Sequence, residues 1–248
     1  MSLVISHRGA NREAPENTLP AYERALAYGV DGFETDVHLT RDGRLVVCHD
    51  DTVDRTSNGC GRIMDHSLEE LRGLDFGAWF SPDFAGTKIP TLEEWFALCD
   101  PLKIINVELK QAPDGSTESA AAVIRMAKER RLFDRLIISS FDLEMLLACK
   151  REDPGTRVAM LYQVMSPLCG EICDDLAAFA KKYDLDAYHP LVLFIDRDYV
   201  EECHNIGLMV NPWVVNQEHG LILARDWGCD AVITDVPELA VRINHGGG

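Results

Sequence analysis

Eight times along the chain a short run of β-branched or apolar residues is followed by a stretch with helical spacing, the two set apart by Gly, Pro, Asn or Asp. The strand-like runs are Leu3–His7, Gly32–Leu39, Lys103–Lys110, Leu136–Ser140, Arg157–Tyr162, Asp186–His189, Leu208–Trp213 and Asp230–Thr234. The helix-like runs are Thr18–Tyr28, Leu92–Cys99, Ser116–Arg130, Leu143–Glu152, Glu171–Tyr183, Arg197–Asn205, Gln217–Asp226 and Pro237–Ile243. Such alternation predicts an α/β chain folded as a closed (β/α)8 TIM barrel, with its site at the C-terminal ends of the strands. The 248 residues suit a single domain spanning 1–248, and a hydrophobic content of 46% suffices for its core.

One strand-like run, Arg44–His49, breaks the alternation. It follows Gly32–Leu39 across Thr40-Arg41-Asp42-Gly43, a turn too tight for a parallel crossover, so the two runs must form an antiparallel hairpin. The hairpin returns His49 to the barrel mouth near Glu34, while Glu34, Asp36 and His38 share one strand face. The segment after it, about 51–90, carries a short helical stretch (Ser67–Leu74) and the aromatics Phe76, Trp79, Phe80 and Phe84. It is expected to be a small cap inserted after strand two and covering the mouth, against the alternative of a satellite cluster that only stabilises the rim. Gly246–Gly248 are expected to form a disordered end.

The charge balance, 24 Lys+Arg against 41 Asp+Glu for a net −17, argues against nucleic acid or an anionic membrane as a partner. No apolar run is long enough to cross a bilayer, and Met1–Ile5 runs into His7 without a basic leader or cleavage site, so no stable membrane insertion or export is expected. The eight cysteines are scattered singly, which points to free thiols in a reducing, cytoplasmic compartment. The sequence leaves a homodimer open.

Glu34, Asp36 and Glu108 converge if the barrel is correct, two on strand two and one at the end of its neighbour. Clustered carboxylates repel unless a hard cation holds them, and oxygen-only ligands favour Mg2+ or Ca2+, with Mn2+ also suited, over zinc. For any one of them the competing assignment is a rim ion pair with Arg8 or Lys110. His7 and His49 reach the same place and titrate near neutral pH, as a general acid and base must. Arg8 and Lys110, two cations on an acidic rim, suit the oxygens of a phosphodiester, or else neutralise the carboxylates themselves. His38 is a candidate supporting residue behind the site.

An ordered set of motifs resembles the glycerophosphodiester phosphodiesterase family. They are His7-Arg8-Gly9, Ala14-Pro15-Glu16-Asn17-Thr18, Glu34-Thr35-Asp36-Val37, Leu45–Asp50, Arg55–Gly59, Ile89–Glu94 and Asn106-Val107-Glu108-Leu109-Lys110. Weaker echoes follow in Ser139-Ser140-Phe141, His189-Pro190, Trp213-Val214-Val215-Asn216 and Ile233–Pro237. The resemblance implies a barrel with a cap insertion, a divalent metal on Glu34, Asp36 and Glu108, an acid/base pair in His7 and His49, and phosphate contacts from Arg8 and Lys110. The substrate would be a small-molecule glycerophosphodiester, cleaved to sn-glycerol 3-phosphate and an alcohol such as choline or ethanolamine, which places the chain in glycerol and lipid metabolism. Trp213 is expected either to form an apolar wall against the glycerol carbons or to be a buried barrel tryptophan. Asn17 or Thr18 is expected to cap the first helix.

Two positions depart from the family pattern, Val214 where Thr is frequent and Ala231 where Gly is, so substrate preference is less constrained than reaction type. The nucleophile is either a water at the metal or the glycerol's own 2-hydroxyl. Three rivals stand beside this assignment. They are a related enzyme on lysophospholipids or other phosphodiesters, a silent phosphodiester-binding barrel, and a metal-dependent barrel of unrelated chemistry.

Overall fold

The computed structural model describes residues 1–163, 166 and 168–245; Gly246–Gly248, expected as a disordered end, lie outside the described residues. The chain runs β1 (Leu3–His7), α1 (Leu19–Ala27), β2 (Gly32–Leu39), β3 (Leu45–Val47), α2 (Leu68–Gly73), α3 (Leu92–Leu98), β4 (Ile104–Leu109), α4 (Glu118–Glu129), β5 (Leu136–Ser140) and α5 (Leu143–Glu152). It continues with β6 (Arg157–Tyr162), α6 (Cys169–Asp174), α7 (Leu176–Tyr183), β7 (Ala187–Pro190), α8 (Arg197–Asn205), β8 (Met209–Val210), α9 (Glu218–Trp227), β9 (Ala231–Thr234) and α10 (Pro237–His245). Eight strands pair in parallel in the order β8-β7-β6-β5-β4-β2-β1-β9, while β3 pairs antiparallel with β2. The seam between β9 and β8 is bridged by backbone bonds, Asp230 N–H to Val210 O at 3.0 Å and Ile233 N–H to Pro212 O at 3.0 Å. This is the TIM barrel that the alternation predicts.

Period two sorts each strand into an outer and an inner face. Val4, Phe33, Val107, Ile138 and Val158 face the helices in the main core, whereas Ile5, Ile104, Ile137, Ala159, Ala187 and Ile233 fill the lower barrel interior. Toward the C-terminal ends the inward positions turn polar, with Glu34, Asp36, Asn106, Glu108, Ser139 and His189 all buried. The apolar floor supports a polar mouth.

Two elements differ from expectation. The helix expected over Glu171–Tyr183 is two helices, because the Asp175 carboxylate accepts the Ala178 N–H and so starts α7 afresh. The strand expected over Leu208–Trp213 is regular only over Met209–Val210, although Asn211 and Trp213 still donate their N–H groups to Tyr188 O and Pro190 O at 3.0 Å each and Trp213 forms an isolated bridge with Leu191. The segment 51–90 builds a cluster of its own, with Val53, Ile63, Leu71, Phe76 and Ile89 packed on Val46 and Cys48 of the hairpin arm. Its helix α2 carries a Ser67–Glu70 capping box and is clipped to the hairpin tip by Arg41 and Asp42. All eight cysteines are unpaired. Among the described residues no helix is long and apolar enough to cross a membrane.

Candidate active site

Strand pairing delivers the carboxylates. Asp36 stands opposite Glu108 in the β2–β4 register, and one oxygen from each of Glu34, Asp36 and Glu108 lies within 4.8 Å of the others. All three residues are at least nine-tenths buried. Burial and neighbouring Asp36 push the Glu34 carboxyl well above the usual carboxylate range, and burial pushes Glu108 up to about 7. Burial acts on Asp36 in the same sense, but Lys110 and Arg8 outweigh it and hold that carboxyl well below its ordinary value. Three oxygen donors this close, two of them resisting ionisation, are compatible with a hard divalent cation, which would supply the positive charge the cluster lacks.

Arg8 and Lys110 already lean on the same group: Arg8 Nε is 3.1 Å from Asp36 Oδ2, Lys110 Nζ is 2.7 Å from Asp36 Oδ1, and Lys110 also contacts Glu108. Arg8 adopts a left-handed φ of 56° and is followed by Gly9 at 82°. A Cβ on Gly9 would come within 2.6 Å of the Ala21 backbone, which gives the His-Arg-Gly tripeptide its steric reason. That turn lets the Arg8 N–H donate to Glu34 Oε2 at 3.1 Å, so backbone and side chain both face the carboxylates.

His7, Arg8, Glu34, His49, Glu108 and Trp213 line one cavity of about 260 Å3 at the strand ends, together with Asn106, Ser139, Phe141, Leu161, Gln163 and Ile233. His7 Nδ1 lies 2.6 Å from Asp235 Oδ1, and its Nε2 is 4.0 Å from Glu34 Oε2. His49 Nδ1 lies 2.7 Å from Asp50 Oδ1, and burial lowers the His49 pKa. Each imidazole thus has Nδ1 engaged by a carboxylate, leaving Nε2 for proton exchange. His38 stands behind, its Nε2 3.3 Å from the His49 carbonyl oxygen. Trp213 is half-buried, donates its indole N–H to His189 O at 2.8 Å and meets the Phe141 ring edge-on at 5.5 Å.

Residues 7–239 match the Glycerophosphoryl diester phosphodiesterase family. The chain belongs to that family. It is 38% identical to the glycerophosphodiester phosphodiesterase of Caldanaerobacter subterraneus subsp. tengcongensis, covering 100% of this chain and 99% of the relative. It is 54% identical to a Mycobacterium tuberculosis protein named "Probable glycerophosphodiester phosphodiesterase 1", covering 94% of this chain and 89% of that one. An Oleispira antarctica phosphodiesterase, solved in complex with the product sn-glycerol-3-phosphate, superposes with a TM-score of 0.86 at 29% identity, covering 98% of this chain and 96% of the other.

Several residues of this glycerophosphoryl diester phosphodiesterase family member escape sequence reasoning. Asp235 receives His7 and also accepts Asn11 Nδ2 and Asn216 Nδ2, both at 2.7 Å, and its carboxyl stays well below the usual range because these hydrogen bonds outweigh burial. The signal for it was barrel closure, which sets the end of β9 beside β1. Of the two residues expected to cap the first helix, Thr18 holds the N-cap position, without a side-chain bond, while Asn17 turns inward, its Nδ2 donating to Asp36 Oδ2 at 2.8 Å and its side-chain carbonyl accepting from Tyr22. Among the described residues none from 51–90 lines the cavity. That segment reaches the site through Arg55, whose guanidinium grips Asp50 (2.7 Å) and Glu16 (2.8 Å), the partners of His49 and Arg8.

Proposed function

We propose that this chain hydrolyses glycerophosphodiesters to sn-glycerol 3-phosphate and an alcohol, in a metal-dependent reaction at the cavity of the strand ends. As a family member it is a phosphoric diester hydrolase, and the observation that carries the finer reading is a cluster of three buried carboxylates, two of them (Glu34 and Glu108) lining the same small cavity as two carboxylate-tethered imidazoles. Glu34, Asp36 and Glu108 would hold the divalent cation, Mg2+ or Ca2+ in first place with Mn2+ also suited. Bound there, the ion supplies Lewis-acid polarisation of the phosphoryl oxygens.

The rest is the work of the chain's own side chains. Arg8 and Lys110, released in part from Asp36, neutralise the non-bridging oxygens and hold the phosphorus in line. One histidine of the His7/His49 pair takes the proton of the nucleophile through Nε2, and the other returns one to the leaving alkoxide. Asp235 and Asp50 fix the two rings and stabilise whichever becomes imidazolium. Trp213 gives an apolar wall to the glycerol carbons. The product bound by the Oleispira antarctica relative supports glycerol 3-phosphate as the retained half.

Residues 51–90 act as an insertion of the single barrel that braces the rim through Arg55. The unpaired cysteines support a cytoplasmic setting. The test is chelator-stripped protein assayed for glycerol 3-phosphate release from several glycerophosphodiesters, with each divalent ion restored in turn, alongside His7→Ala and His49→Ala. Activity restored by a hard divalent ion and reduced by orders of magnitude in both variants is expected. Full activity without metal, or near-normal rates in either variant, overturns the reading.

A further inference from the structure

Two of the eight thiols meet at the surface of the barrel, away from the carboxylates. Helix α6 sets Cys169 and Cys173 one turn apart on a single face, and their Sγ atoms lie 3.9 Å from each other. Cys169 is half-buried and Cys173 exposed, whereas Cys48, Cys99, Cys149, Cys203 and Cys229 are buried and Cys60 is exposed in the separate segment 51–90. Two metal–sulfur bonds of about 2.3 Å that meet at a tetrahedral angle hold their sulfurs about 3.8 Å apart, so this pair already stands at the spacing that a shared ion requires. We infer that Cys169 and Cys173 form a binding site for one thiophilic metal ion, of the Zn2+, Cd2+ or Cu+ class, separate from the carboxylate cluster.

The surroundings favour a cation over the other uses of a thiol pair. Cys173 opens onto a groove of about 390 Å3 that Asp174, Asp175 and Glu202 also line, so cations are drawn toward the sulfurs and anions turned away. Partial burial, the neighbouring Cys169 thiol and the Asp174 charge all raise the Cys173 thiol above its ordinary value, the wrong direction for a nucleophile that attacks a peroxide or a disulfide. A bond between the two sulfurs would have to draw them together to about 2.0 Å, whereas an ion needs no such movement. As it binds, each thiol gives up its proton to solvent while its sulfur–metal bond forms, and the charge of the ion offsets the deprotonation that the free pair resists. Water on the exposed side of Cys173 completes the coordination.

Donor chemistry keeps the two sites apart. Glu34, Asp36 and Glu108 offer only oxygen and suit a hard ion, while paired sulfurs select a soft one. The sulfur site nevertheless adjoins the barrel mouth. Helix α6 begins directly after Leu168, which lines the groove of about 620 Å3 shared with His49 and Glu108. An ion bridging residues 169 and 173 therefore staples the turn of helix that follows this wall.

The experiment titrates the reduced, chelator-stripped chain with Cd2+ and follows the ultraviolet sulfur-to-metal charge-transfer band, which oxygen ligands do not produce. The band is expected to saturate at one ion per chain. Cys169→Ser and Cys173→Ser should each weaken binding by at least about tenfold, since losing a direct ligand costs no less than losing a group that supports one. Cys60→Ser and Glu108→Gln should keep the band, the first because that thiol stands apart and the second because its site is the oxygen one. Protection of two thiols per chain from a disulfide reagent by Cd2+ gives a second reading on the unaltered protein, independent of how the serine variants fold. No band at one equivalent, no protection, an affinity unchanged in Cys169→Ser or Cys173→Ser, or a band lost in Cys60→Ser overturns the site.

Discussion

Asp235→Asn should lower kcat by roughly ten- to hundred-and-fifty-fold with the barrel still folded. Asp235 Oδ1 sits 2.6 Å from His7 Nδ1, and the same carboxylate takes Asn11 and Asn216 at 2.7 Å each, so the ring faces a fixed anionic acceptor. Its side chain is 20% exposed, and water screens the pair only in part. A hydrogen bond to a charged group contributes about 1.5–3 kcal/mol, and about 1.4 kcal/mol is one decade in rate, which gives the range stated. The substitution changes almost no volume. It does offer His7 an amide N–H where there was a carboxylate, shifting the neutral ring's proton to Nε2 and, whichever proton transfer His7 performs, withdrawing the charge that steadies its imidazolium. The assay is initial-rate choline release from glycerophosphocholine at saturating metal and substrate, with circular dichroism melting as the fold control. A kcat within threefold of wild type, in a protein of unchanged melting temperature, would refute the orienting role of Asp235.

Two further outcomes follow from charges around the site. Arg55 hydrogen bonding is the largest influence holding the Asp50 carboxyl down at about 2, so Arg55→Met should let it rise and move the acid limb of the pH–rate profile to higher pH, because Asp50 must be ionised to orient His49; an unmoved limb contradicts the linkage. His189 is fully buried and its pKa is lowered from 6.5 to about 3 by desolvation, so between those values the unfolded chain binds a proton that the folded chain does not. Stability should therefore fall by about 1.4 kcal/mol per pH unit as pH drops through that window. Urea titrations of wild type and His189→Gln check it: a wild-type slope equal to the variant's would show that His189 is not the source.

Much of the fold was legible because its periodicities are local. The β2–β3 hairpin could be read from one tight turn, and with it the return of His49 to the rim. Glu34, Asp36 and Glu108 could be paired because strand period and neighbour order together fix which side chains share a face. What stayed hidden depends on closure. Asp235 meets His7 across 228 positions, which no window of sequence displays. Asn17 has the composition of a helix cap, and only the packed barrel shows its amide turned to Asp36 instead. Arg55 lay in a motif without an assigned role because its two carboxylate partners come from different loops. The break at Asp175 was a contest between helical spacing and a side chain able to cap, which apolar periodicity alone does not resolve.

If Glu34, Asp36 and Glu108 together hold one divalent cation, calorimetric titration of chelator-stripped protein with Mg2+, Ca2+ and Mn2+ will register it. One ion bound per chain is expected, with binding abolished or sharply weakened in Glu34→Gln, Asp36→Asn and Glu108→Gln. No detectable binding by the wild type, or affinity unchanged in all three variants, would contradict it.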